Sequence, residues 1–140
     1  MRILIMGLPG SGKTTLAQEI LKHLHDTDKT VTWLNADIIR ETYNDWDFSF
    51  DGRLRQAQRM KSLATLSTSD YCICDFVAPL QEMRTIFAAD YTIWVDTILT
   101  CRFEDTNSLF EPPTKYDLRI QNQNAKKWAK EIAHLLTKLD

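Results

Sequence analysis

Residues 7–15 read GLPGSGKTT, directly behind the apolar run RILIM at 2–6 and ahead of LAQEILKHL at 16–24. The run is short, apolar and stopped by glycine, which suits a buried parallel strand. Behind the loop, Leu16, Ile20, Leu21 and Leu24 recur at helical spacing. Between them stands the spacing G-x-x-x-x-G-K-[ST], in the strand–loop–helix context that gives it meaning. Glycine lets the backbone curl so that successive amides converge on one anion. The helix adds the positive end of its dipole. Gly7, Leu8, Pro9, Gly10, Ser11, Gly12, Lys13, Thr14 and Thr15 are therefore read as a cradle for nucleotide phosphates, with ATP and Mg²⁺ as its ligands. Lys13 bridges the β- and γ-phosphates, and the Thr14 hydroxyl faces the metal.

Working outward, VTWL (31–34), YCICDF (71–76), YTIWVD (91–96) and DLRI (117–120) read as four further strands. Helical spacing covers IIRETY behind Asn35 and Asp37, then 53–66, 79–88 with proline in its opening turn, and 124–139. Residues 44–52 and 97–116 read as irregular. Strands separated by helices predict an α/β protein: a three-layer P-loop kinase fold with a central parallel five-stranded sheet and helices on both faces. No linker or repeat interrupts the chain, so 1–140 is expected to form one domain.

The bulk numbers narrow the partners. A net charge of −2 argues against a broad basic surface for nucleic acid. No apolar stretch approaches the ~18 residues of a membrane span, and the N-terminus lacks a signal-peptide layout. A cytoplasmic location is the resulting expectation. Cys72, Cys74 and Cys101 are odd in number and lack metal spacing. Cys72 and Cys74, two apart in a strand, point to one face as packing residues. His23, His25 and His134 lack a second ligand at metal spacing; Trp33 and Trp94 read as core, and Trp128 as lying on the buried face of the closing helix.

Phosphoryl transfer needs more than a phosphate cradle: carboxylates at strand ends and a second anion pocket. Asp37, Asp75 and Asp96 follow strands two, three and four, where an open α/β sheet places its ligands. Arg40 and Arg53 flank an aromatic loop with Tyr43, Trp46, Phe48 and Phe50. A positive rim around aromatic faces suits a nucleotide acceptor. Arg55 and Lys61 read as a solvated face.

GLPGSGKTTLA, NADIIR, DFSFDGRLRQAQRM, DFVAPLQEMR, YTIWVD and EPPTKYDLRI, in this order, resemble the adenylylsulfate kinase family over most of the chain. That resemblance implies transfer of the γ-phosphoryl of ATP to the 3′-hydroxyl of adenosine 5′-phosphosulfate. It implies Lys13 and Asp37 as catalytic residues and Thr14 and Asp37 around the metal, while Asp75, an acid where the family carries a small neutral residue, is read as a further metal contact. It puts Asp37, Arg40, Phe48, Arg53, Gln56 and Val77 at the acceptor, with Ala78 and Pro79 beside Val77. Asn35, Asp75 and Ala78 depart from the family pattern. The basic, glycine-containing lid that follows strand four in the family has no counterpart, and TILTCRFEDTNSLF stands in its place. A different hydroxyl acceptor, such as another nucleotide or a modified base in DNA, stays open, as do a non-catalytic nucleotide-binding module and a homodimer.

Overall fold

The computed structural model describes residues 1–139. Among them, strands β1 (Arg2–Met6), β2 (Val31–Asn35), β3 (Tyr71–Asp75), β4 (Tyr91–Val95) and β5 (Leu118–Ile120) alternate with helices. The helices are α1 (Lys13–His25), α2 (Ala36–Tyr43), α3 (Phe50–Leu66), α4 (Gln81–Phe87), α5 (Glu104–Leu109) and α6 (Ala125–Leu139). The sheet runs β2-β3-β1-β4-β5 with every pairing parallel. The three-layer fold expected from the strand–helix alternation is the fold observed.

The period-two alternation of the strands divides the core. Ile3, Ile5, Tyr71, Ile73 and Ile93 face Leu16, Ile20 and Leu24 of α1 and Ile132 and Leu136 of α6. Leu4, Met6, Cys72, Cys74 and Trp94 face Ala57 and Met60 of α3 and Met83 and Phe87 of α4. The central strands are apolar on both faces because helices cover both. Cys72 and Cys74 share the second face as free thiols, their sulfurs 3.8 Å apart.

Three boundaries differ from the sequence expectation, each for a local reason. Helix α3 begins at Phe50, inside the stretch read as loop, because the Ser49 side chain caps it by accepting from the Gly52 amide at 3.2 Å. Pro79 precedes α4 instead of opening it; Leu80 is the cap residue. The stretch 97–116 contains α5, whose six residues are too few to show a period. No helix among the described residues is long and apolar enough to cross a membrane.

β1 lies at the centre of the sheet, so the loop leaving it opens between the ends of β3 and β4. The carboxyl ends of β1, β2 and β3 thus bring residues 7–15, 35–37 and 75–77 to one rim.

Candidate active site

The loop 7–15 is built around glycines at positive φ: Gly7 at 152°, Gly10 at 83° and Gly12 at 106°. A turn bond from Ser11 N to Leu8 O at 3.1 Å closes it, and Thr97 Oγ1 donates to Ser11 O at 2.6 Å from β4's end. A Cβ on Gly7 would run into the Val95 carbonyl and come within 2.9 Å of Ser11 Oγ. Gly7→Ala is therefore expected to push the loop off β4 and weaken ADP binding by at least ~10-fold, an outcome calorimetry reads directly.

Helix α1 has no side-chain cap and no acid in its first turn. Its first amides, with the positive end of the dipole behind them, are left for an anion. Lys13 Nζ folds back to donate to Leu8 O at 3.0 Å. Burial lowers its pKa to about 8, against the opposing pull of Asp75 and Asp37. Ser11 Oγ is buried without a partner, a further sign that the loop is shaped around something it does not itself contain.

Two cavities meet at this loop. The first, about 780 Å³, is lined by Lys13, Thr14, Asp37, Phe48, Arg53, Asp75 and Val77 among others. The second, about 370 Å³, lies toward β5 and α6, where Thr97, Asn122, Gln123, Asn124 and Trp128 line it. Gly10, Gly12 and Thr15 belong to both. A phosphate chain seated on the loop would connect one cavity with the other.

In the first cavity Asp37 is exposed in the opening turn of α2. Helix α2 is capped by Asn35, whose Oδ1 accepts from Ile38 N at 3.1 Å, so Asp37 is free of that duty. Asp75 is buried, with Oδ2 accepting from Trp33 Nε1 at 3.1 Å and Oδ1 from Asn35 Nδ2 at 2.9 Å. Burial pushes its pKa up to about 6; the Trp33 indole, the charge of Lys13, the Ala36 amide and Asn35 oppose that rise.

Phe48 stands half-exposed, with the Arg40 guanidinium 4.3 Å and the Arg53 guanidinium 5.5 Å from its ring centre. Arg53 is buried: Nε donates to Phe48 O at 2.9 Å and Nη2 to Thr106 Oγ1 at 3.0 Å, and the exposed Asp105 lies 3.8 Å away. Arg40 and Gln56 lie behind the cavity. Arg40 donates to Asp45 O at 3.0 Å and Asp47 O at 3.2 Å. Gln56 Nε2 donates to Ala36 O at 3.1 Å, tying α3 to the start of α2. Arg55 is not a merely solvated residue, since it and Arg59 grip Asp45 at 2.7 and 3.0 Å. The Arg55 hydrogen bond, helped by Arg59, holds the Asp45 carboxyl well below the usual carboxylate range.

Asp96 stands apart from this group, bonded to Arg119 at 2.6 Å and absent from both cavity walls. Trp128 is half-buried against the core on the inner side of α6, and its indole donates to Asn122 Oδ1 at 3.0 Å beside the second cavity. In place of a long lid, Arg102, Phe103, Asp105 and Thr106 from α5 and its approach wall the first cavity. Arg84, unremarked in the sequence, is buried and donates to Ala78 O at 2.8 Å, Pro79 O at 3.1 Å and Glu111 O. It pins the 76–79 wall to the segment behind α5. Its lowered pKa, about 10, follows from burial, partly offset by Glu111.

A central parallel sheet, a glycine-rich loop opening an uncapped helix, and acids at neighbouring strand ends define a P-loop protein of the kinase fold. The adenylylsulphate kinase family model matches residues 1–115, and the chain belongs to that family. It is 36% identical over 87 residues to the adenylyl-sulfate kinase of Bacillus pumilus, a match covering 60% of this chain and 44% of that one. To the adenylyl-sulfate kinase of Halothermothrix orenii it is 30% identical over 112 residues, covering 74% and 60%. The chain thus spans about half the length of the curated relatives it matches. Its fold is similar to that of the Mycobacterium tuberculosis APS kinase CysC in complex with AMPPNP and APS, with a TM-score of 0.84 at 23% identity over 97% and 96% of the two chains.

Proposed function

We propose that this chain is an ATP-dependent kinase that phosphorylates the 3′-hydroxyl of adenosine 5′-phosphosulfate. The observation that carries the reading is the pair of cavities joined at the phosphate loop. One wall set suits the adenosine of ATP, beside Asn122, Asn124 and Trp128. The other is aromatic and cationic, with Trp46, Phe48, Phe103, Arg53 and Arg102, and suits an anionic nucleotide acceptor.

The site fits Mg²⁺. Thr14 and Asp37 offer hard oxygen donors, with Asp75 supplying negative charge behind them. No group of three or more His, Cys, Asp or Glu able to hold a metal is found among the described residues. That suits a cation that keeps several waters and takes phosphate oxygens instead of a full protein cage. When bound, the metal neutralises charge on the β- and γ-phosphates.

The amides of 10–15 and Lys13 hold the phosphate chain, and Lys13 leaves Leu8 O to follow the charge of the transferring group. Phe48 stacks the acceptor base, Arg53 takes its anionic group, and Val77 borders it. Arg40 and Gln56 act behind them by fixing Phe48's loop and the α2–α3 junction. Asp37 accepts the hydrogen bond of the 3′-hydroxyl and takes its proton as the bond from that oxygen to the γ-phosphorus forms. The bond from the γ-phosphorus to the oxygen it shares with the β-phosphate breaks, and ADP leaves.

Incubation with ATP, Mg²⁺ and adenosine 5′-phosphosulfate is expected to yield ADP and the 3′-phosphorylated nucleotide in equal amounts. ADP release without that product, or product from unrelated alcohols alone, would reject the assignment.

A further inference from the structure

Asn35 and Asp75 are register partners at the ends of the adjacent strands β2 and β3. Asn35 makes three bonds at once. Its Oδ1 accepts from Ile38 N at 3.1 Å, while Nδ2 donates to Asp75 Oδ1 at 2.9 Å and to Thr14 Oγ1 at 3.2 Å. The amide cannot be turned over: its Nδ2 would then meet the Ile38 N–H, and its Oδ1 would meet a carboxylate oxygen. Asp75 in turn is anchored from the other side by Trp33 Nε1 at 3.1 Å. The two hydrogens of Nδ2 are therefore aimed by the rest of the network.

We infer that Asn35 is a positioning residue: held by Asp75 and the α2 cap, it sets the Thr14 hydroxyl for a metal-bound nucleotide. A hydroxyl has one hydrogen and two acceptor sites. With one acceptor site occupied by Asn35, the Thr14 hydrogen is turned elsewhere and the second lone pair is left for the cation. Asp75 acts on Thr14 through this amide, since no direct bond joins them, and both its oxygens already have protein donors. Trp33 sets the carboxylate, the carboxylate sets the amide, and the amide sets the hydroxyl.

The inference rests on the nucleotide half of the proposed function and is independent of the acceptor. Its probe is ADP, titrated calorimetrically with and without Mg²⁺, so no turnover is needed. Asn35→Ser keeps an oxygen to cap α2 but has no group that reaches both Asp75 and Thr14. It is expected to lower the Mg²⁺-dependent gain in ADP affinity about 10-fold while leaving metal-free ADP affinity near wild type, and to lower the melting temperature because buried Asp75 Oδ1 loses its donor. Asp75→Asn turns a donor toward the Asn35 donor and is expected to cause a similar loss. An unchanged metal-dependent gain in Asn35→Ser overturns the inference. A wild-type chain that binds ADP with no Mg²⁺ contribution overturns the nucleotide reading itself, a distinct result.

Discussion

Asp37→Asn is expected to lower kcat by about 10²–10⁴-fold while leaving metal-free ADP affinity nearly unchanged. Asparagine has the same shape and stays in the first turn of α2, so neither the cavity wall nor the helix is rebuilt. The cap belongs to Asn35, and the side chain at 37 is exposed, so the fold loses only the small benefit of an acid at a helix N-terminus, ~0.3–1 kcal/mol. On the proposed mechanism, what disappears is the ability to take the proton of the acceptor hydroxyl as the new P–O bond forms. Steady-state rates with saturating ATP, set beside an ADP titration without Mg²⁺, separate the two effects. A kcat within a few-fold of wild type would remove Asp37 from the chemistry.

Lys13→Met is expected to cost about 10³-fold in turnover and at the same time to raise the melting temperature of the ligand-free protein. On the proposed mechanism the ammonium is needed where charge develops on the transferring phosphoryl, and a thioether cannot replace it. Stability moves the other way because burial lowers the Lys13 pKa from 10.5 to about 8. A lowered lysine pKa means that the fold disfavours the charged form. The penalty is full below pH 8, shrinks as the group deprotonates, and vanishes above 10.5. Between those limits the wild-type protein should therefore gain on Lys13→Met as pH rises, with the variant's advantage largest near pH 7. Thermal unfolding of both proteins at pH 7 and 9.5 measures this. A variant less stable than wild type at pH 7 would contradict it. ADP should narrow the gap, because a phosphate returns to the ammonium the partner that burial took away.

Both expectations depend on how a nearly generic scaffold carries a particular set of side chains. The strands were legible because their signals are local. RILIM, YCICD and YTIWV are largely apolar runs of strand length; Gly7 and Asp96 follow the first and third, and Asp75 ends the second. The phosphate loop was legible because glycine, lysine and threonine at one spacing have few other uses. The resemblance of the ordered blocks pointed to the same family that the match over 1–115 shows. Helix α5 was not legible: six residues present no period, and its place is set by Arg53 reaching Thr106 across 53 positions of sequence.

The candidate site divides in the same way. Lys13, Thr14, Asp37, Phe48, Arg53 and Val77 line one cavity, and sequence order alone could nominate them. That Arg40 and Gln56 stand behind the cavity, bonded to Asp45, Asp47 and Ala36 backbone oxygens, could not be read from residue type. A buried guanidinium and a solvent-facing one look alike in a string of letters. The second cavity drew on Thr97, on residues 122–125 and on Trp128, segments with no motif of their own. They become a site only when β5 is laid beside β4.

The sequence by itself determined the strand–helix alternation, the phosphate cradle and the membership of the family, because periodicity, glycine geometry and fixed spacing act within a few residues of one another. Only the tertiary structure decided that Asp75 is spoken for by Trp33 and Asn35, that Asp96 belongs to Arg119, and that a six-residue helix walls the first cavity. Those outcomes follow from parallel register and burial: the partners are distant in the chain, and their hydrogen bonds acquire meaning only after the sheet has excluded water around them.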